Sequence, residues 1–165
     1  MSKMYRGKEI FKPLNTGWID EHVACVREWA ANIFFYRKGD RIIMIDAGYN
    51  YDRLEEKMGW LGIDPKAIRH ILITHQDTDH VGAVEADSPG LFKNAALYIG
   101  ETENRYLTGH TGWTDNFEFA FAHKTELCSS FKKMVHDPSA PFDAYDESDD
   151  TEESAKAGFL KGVGR

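Results

Sequence analysis

Four side chains able to bind a metal fall within a six-residue stretch of this sequence. The segment reads Ile71-Leu72-Ile73-Thr74-His75-Gln76-Asp77-Thr78-Asp79-His80-Val81-Gly82. His75 and Asp77 are two apart and can project to the same side of an extended turn. Asp79 and His80 are adjacent and therefore diverge. One pair can serve one metal while the other faces a second ion a short distance away. Imidazole and carboxylate donors suit Zn²⁺, Fe and Mn²⁺. A single His beside an Asp on a loop is ordinarily a solvated, hydrogen-bonded pair. Four such groups in this order, after an apolar strand and before a small-residue helix start, point to a site for one or two metal ions.

Elements of suitable type precede this cluster. NIFFYR at 32–37 and RIIMIDAG from Arg41 flank Lys38-Gly39-Asp40, which reads as a hairpin with Gly39 in its turn. VACVRE at 23–28 is an earlier strand. After Asp46-Ala47-Gly48 the period changes. Leu54, Met58 and Leu61 recur at helical spacing, predicting a helix over about 51–61, with Gly62 just past its end. Asp64-Pro65 starts a short turn or helix. Ile71 to Thr74 reads as a buried strand, and Ala95 to Ile99 as a further one. A helix is expected after Gly100, with Glu101 and Glu103 in its first turn. Strand, helix and strand in alternation indicate an α/β layered arrangement. The metal cluster then sits just beyond the end of a strand, where exposed but well supported loops collect sites. Between 114 and 134, Phe117, Phe119, Phe121, Leu127, Phe131 and Met134 suggest a structured, partly buried stretch.

Composition sets bounds on function. The formal charge of −7 is matched by the acids of one run, Asp143, Asp146, Glu147, Asp149, Asp150, Glu152 and Glu153. The rest of the chain is neutral and offers no basic footprint for nucleic acid. The run, without a base, reads as a solvated, disordered tail over 141–165, following a folded domain over 1–140. It lacks the glycine and ligand spacing of a Ca²⁺-binding EF-hand loop. No apolar stretch reaches the roughly 20 residues that span a bilayer, and Met1 to Phe11 has no signal-peptide core. The expectation is a cytoplasmic protein with no membrane partner. Cys25 and Cys128 form no CxxC pair and are expected as free thiols.

THQDTDHVG resembles the HxHxDH signature of the metallo-β-lactamase fold superfamily, and RIIMIDAG resembles the strand that precedes it there. The resemblance covers roughly residues 20–107. It implies the N-terminal part of an αββα sandwich, with His75 and Asp77 in first-metal positions and Asp79 and His80 as second-metal ligands. Asp79 would also orient, and deprotonate, the attacking water. Asp46 would hold the metal loop from behind without binding metal. Asp77 stands where that family usually has His, and a carboxylate there shifts preference toward Fe or Mn. The family's second half, which brings further ligands, is not found. Gly109-His110-Thr111-Gly112 imitates its later GHTxG motif but follows His80 too closely and lacks a preceding strand. His123 and His136 are weaker candidates, and His22 and His70 read as surface or packing residues.

The resemblance implies a metal-dependent hydrolase of an ester, thioester, lactone or similar bond in a small-molecule substrate, using one or two Zn ions, with Fe or Mn as alternatives. Two other readings stay open. One is a di-iron redox protein, since the flavodiiron branch of the fold carries Glu at the Asp77 position. The other is a truncated, inactive domain that needs a partner or a second copy of itself. A half-sandwich would leave one sheet face and several apolar residues open.

Overall fold

A computed structural model describes residues 13–29, 31–84, 90–108 and 147–161. One six-stranded sheet organises them, in the spatial order of the sequence: β1 (Gly17–Trp18), β2 (Val23–Glu28), β3 (Ala31–Lys38), β4 (Arg41–Ile45), β5 (Ile68–Ile73) and β6 (Ala96–Ile99). The first four strands run antiparallel, and β4, β5 and β6 run parallel. The change of sense follows from the connections. A two-residue loop can only reverse the chain, and Gly39 at φ 58° makes that reversal between β3 and β4. Between β4 and β5 the chain returns through helix α1 (Tyr51–Trp60), which brings the next strand in parallel.

Local chemistry fixes α1. The Asn50 side chain accepts from the Arg53 N–H at 3.0 Å and caps its start. Gly62, at φ 69°, takes the left-handed conformation just past its end, and the Ile63 N–H returns to the Met58 carbonyl at 3.0 Å. Leu54, Met58 and Leu61 face Ala24, Val26, Ile33, Phe35, Met44, Ile71 and Ile73 of the sheet, and this is the core. A 3₁₀ turn, Pro65–Ala67, capped by Asp64, leads into β5. Helix α2 (Thr78–Val81) carries Asp79 and His80 and runs into a 3₁₀ turn (Gly82–Val84). Helix α3 (Glu101–Thr108) follows β6.

Two expectations change. The strand over 71–74 begins earlier, at Ile68, and is buried on one face only: Ile71 is fully buried while Leu72 is 42% exposed. The register places Phe34, Ile45, Leu72 and Tyr98 in one row across the open face.

The acidic run is the second change, because its described part is not a free tail. Asp150 is buried and accepts from Thr16 Oγ1 at 2.8 Å and from Lys57 Nζ at 2.7 Å. Glu147 accepts from Lys57 Nζ at 2.9 Å and from the Trp29 N–H. Asp149 pairs with Arg27 at 2.9 Å. Helix α4 (Glu152–Lys156) starts in a capping box at Thr151, and the Leu160 N–H reaches the Trp18 carbonyl at 2.7 Å. The bases that neutralise the run lie far away in sequence, on β2 and α1, so local composition could not reveal them. Among the described residues no helix is long and apolar enough to cross a membrane.

Candidate metal centre

The parallel strands β4 and β5 end side by side, and the cluster hangs from their ends. Asp46, the first residue after β4, takes φ 63°, a left-handed conformation that Asp tolerates better than most residues. This turns its carboxylate toward the end of β5. There Oδ1 accepts from the Thr74 N–H at 2.7 Å, and Oδ2 accepts from Thr74 Oγ1 at 2.8 Å. Oδ2 also lies 2.8 Å from His80 Nδ1. One carboxylate thus ties the start of the ligand loop to its end. This is the holding role expected of Asp46.

The four candidate ligands come together as two adjoining pairs. His75 Nε2 is 3.4 Å from Asp77 Oδ2, and His80 Nε2 is 3.5 Å from Asp79 Oδ2. The two imidazole rings lie 3.8 Å apart, centre to centre. Each ring is engaged from behind through Nδ1, His75 by Thr74 Oγ1 at 2.9 Å and His80 by Asp46. Both Nε2 atoms therefore face the carboxylates of the loop, and an imidazole bonded from behind through one nitrogen with the other turned toward the site is the usual disposition of a metal-ligating histidine. Two imidazoles and two carboxylates fit a divalent transition metal by donor type. Among the described residues no three His, Cys, Asp or Glu groups close on one point. His110, His123, His136 and Cys128 lie outside the described residues.

Electrostatics reinforce the pairing. For His80, burial pulls the ring's pKa down, but the hydrogen bonds to Asp46 and Asp79 outweigh it and raise the ring to about 9. Hydrogen bonding to His80 holds the Asp79 carboxyl below its ordinary value. Burial pushes Asp46 upward, and its bonds to His80 and Thr74 more than compensate, leaving it low as well. Asp79 is accordingly a carboxylate at neutral pH.

Residue-type spacing did not reveal several supports. Glu103 on α3 accepts from the Gln76 N–H at 3.1 Å, between the first two candidate ligands. Thr74 is adjacent to the motif and could have been read as a bonding partner from its hydroxyl. Gly82 lets the end of the loop lie directly on the turn after β4, since a Cβ there would sit 2.3 Å from the Tyr49 carbonyl oxygen. His22 and His70 are exposed, and His70 Nδ1 bonds to the Tyr98 hydroxyl at 3.1 Å. Cys25 is free and buried, and burial pushes its thiol up to about 12.

A mixed sheet whose parallel strands end in this loop is the core of a known fold. Residues 26–86 match the family model of the metallo-beta-lactamase superfamily. Among solved structures, a metallo-beta-lactamase of Cronobacter sakazakii with a HARLDQ motif is 20% identical. It covers 66% of this chain and 41% of its own, with a TM-score of 0.51. A Thermotoga maritima protein assigned to the metallo-beta-lactamases is 32% identical over 61% of this chain and 45% of its own, with a TM-score of 0.39. A metallo-beta-lactamase from Hirschia baltica is 20% identical over 60% and 48%, with a TM-score of 0.44. The chain spans less than half the length of these solved relatives. No curated protein matches it.

Proposed function

We propose that this chain carries the metal-binding loop of a metal-dependent hydrolase that cleaves an ester, thioester, lactone or similar bond of a small molecule. The carrying observation is the pairing of His75 with Asp77 and of His80 with Asp79, with each imidazole held from behind through Nδ1. His75 and Asp77 would hold a first ion, and Asp79 and His80 a second. Zn²⁺ is the leading candidate, with Fe or Mn admitted by the carboxylate at Asp77.

A divalent cation here would acidify its bound water toward about pH 7 and polarise a carbonyl or phosphoryl oxygen. The chain's own residues set the stage. Asp46, bonded to His80 Nδ1, directs the other ring nitrogen, Nε2, toward the site. Asp79, ionised at neutral pH, would orient the attacking water and accept its proton. The proton shared between His80 Nε2 and Asp79 must leave when a cation binds, so uptake should release protons.

Elemental analysis of protein purified without chelator, beside the double variant His75→Ala/Asp79→Ala, tests this reading. About one to two equivalents of Zn, Fe or Mn in the wild type, lost in the variant, would support it. A wild type without metal would sink it. Iron alone, with reversible colour and no hydrolysis of ester or thioester probes, would turn the reading to redox chemistry, which the carboxylate at Asp77 keeps open.

A further inference from the structure

Glu28, the last residue of β2, is 2% exposed and carries a carboxylate that the metal loop does not touch. Its partners all lie just after β4. The carboxylate accepts from the Tyr49 N–H, from the Asn50 N–H at 2.7 Å and from Arg53 Nη2 at 3.2 Å. It also packs against Gly48, where a Cβ would lie 2.2 Å from Glu28 Oε2 and where φ is 60°. Only glycine admits so close an approach in that conformation.

The turn that Glu28 grips is the one on which the ligand loop rests. The Ala47 N–H donates to the His80 carbonyl at 2.7 Å. The Gly82 N–H donates to the Gly48 carbonyl at 2.7 Å, and the Ala83 N–H to the Ala47 carbonyl at 3.1 Å. Hydrogen bonds therefore run from the Glu28 side chain through residues 47–50 to the segment that bears Asp79 and His80. Two glycines, Gly48 and Gly82, allow the three layers to stack in contact.

We propose that Glu28 is a positioning residue for the metal loop: by accepting from the N–H groups of Tyr49 and Asn50, it fixes the turn to which residues 80–83 are bonded. The inference rests on the metal reading for its consequence, which is ion affinity, but its structural half can be measured without metal. The competing account is a buried ion pair with Arg53 that merely holds β2 to α1.

Amide hydrogen exchange on the metal-free full chain separates the two, followed by Zn²⁺ titration against a chromogenic chelator. In Glu28→Gln one acceptor oxygen becomes a donor that opposes an N–H. The amides of Ala47, Tyr49, Asn50 and Gly82 should then exchange about tenfold faster, while those of Ile33, Phe35 and Met44 keep their wild-type rates. Zn²⁺ affinity should fall by about tenfold, and Glu28→Asp, which restores a carboxylate, should recover part of both effects. Arg53→Met, which removes the ion pair and leaves the acceptors, should leave Gly82 protected. Unchanged exchange at Ala47 and Gly82 in Glu28→Gln, or equal acceleration across the whole sheet, overturns the proposal. If Glu28→Gln does not fold, Glu28→Asp is read against the same amides with the same criterion. A wild type that takes up no Zn²⁺ but shows the local exchange signature would refute the metal reading and leave the positioning of the loop by Glu28 standing.

Discussion

Glu28 at the end of β2 and Asp46 just after β4 are both buried carboxylates, yet their surroundings pull in opposite directions. Asp46 gains more from Thr74 and His80 than burial takes away. For Glu28 burial is the larger effect. It pushes the carboxyl up to about 7, against the lowering pull of Arg53 and of the N–H groups of Tyr49 and Asn50. Arg53 is itself held over the Trp29 ring at 3.9 Å. The consequence for stability has a definite sign. An ordinary carboxyl of this type titrates near 4.5, so between about pH 4.5 and 7 the folded chain holds a proton on Glu28 that the unfolded chain has lost. Stability from this group is present in full below that window and is lost as pH rises through it, by up to about 3 kcal/mol. Urea denaturation of the metal-free chain at steps across this range should show the decline, and Glu28→Gln should flatten it. Equal slopes in both proteins would show that Glu28 does not titrate in this window.

At the scale of elements, the approach of the ligand loop to the turn after β4 depends on Gly82. A methyl group there would lie 2.3 Å from the Tyr49 carbonyl oxygen and 2.8 Å from that of Gly48, both backbone atoms that cannot swing aside. Gly82→Ala should therefore cost about 1–3 kcal/mol and weaken metal uptake, because residues 80–83 must move. Gly59→Ala is the control: it lies in α1 with nothing within 4 Å of a new Cβ. It should stabilise by about 0.5–1 kcal/mol. Thermal melts and metal analysis of both variants check the pair.

The same elements show what a sequence can disclose. Strands β2 to β5 and helix α1 were legible because apolar periodicity and Gly39, Gly62 and Pro65 mark them locally. The ligand loop was legible because its donors are close in sequence. Glu28, Glu103 and Lys57 were not, since each acts on partners 20 or more residues away. Lys57 in particular sits on the inner side of α1, buried against Glu147 and Asp150. Neither the lysine nor the acidic run shows any sign of the other in sequence. A charge is read as solvated until its partner is seen.

Among the described residues, helix α1 packs on one side of the sheet and no helix packs on the other. Helix α1 covers Ile33, Phe35, Met44 and Ile71. The segment 147–161 ties β1 and β2 to that same helix through Asp150, Lys57 and Arg27. On the far side, Leu72 and Tyr98 stand 42% and 48% exposed beside Phe34 and Ile45. The neighbours Ile71 and Leu72 point to opposite sides of β5 and so report separately on the two faces. Ile71→Ala should cost about 2–4 kcal/mol, the loss expected of a fully buried aliphatic side chain. Leu72→Ala should cost less than about 1 kcal/mol, because little is removed from contact. Urea denaturation of the full chain measures both. A cost for Leu72→Ala that matches Ile71→Ala would mean that the open face is covered in solution. Repeating the measurement over a range of protein concentrations would then tell a cover within the chain from one supplied by a second copy, because only the second copy makes the midpoint depend on concentration.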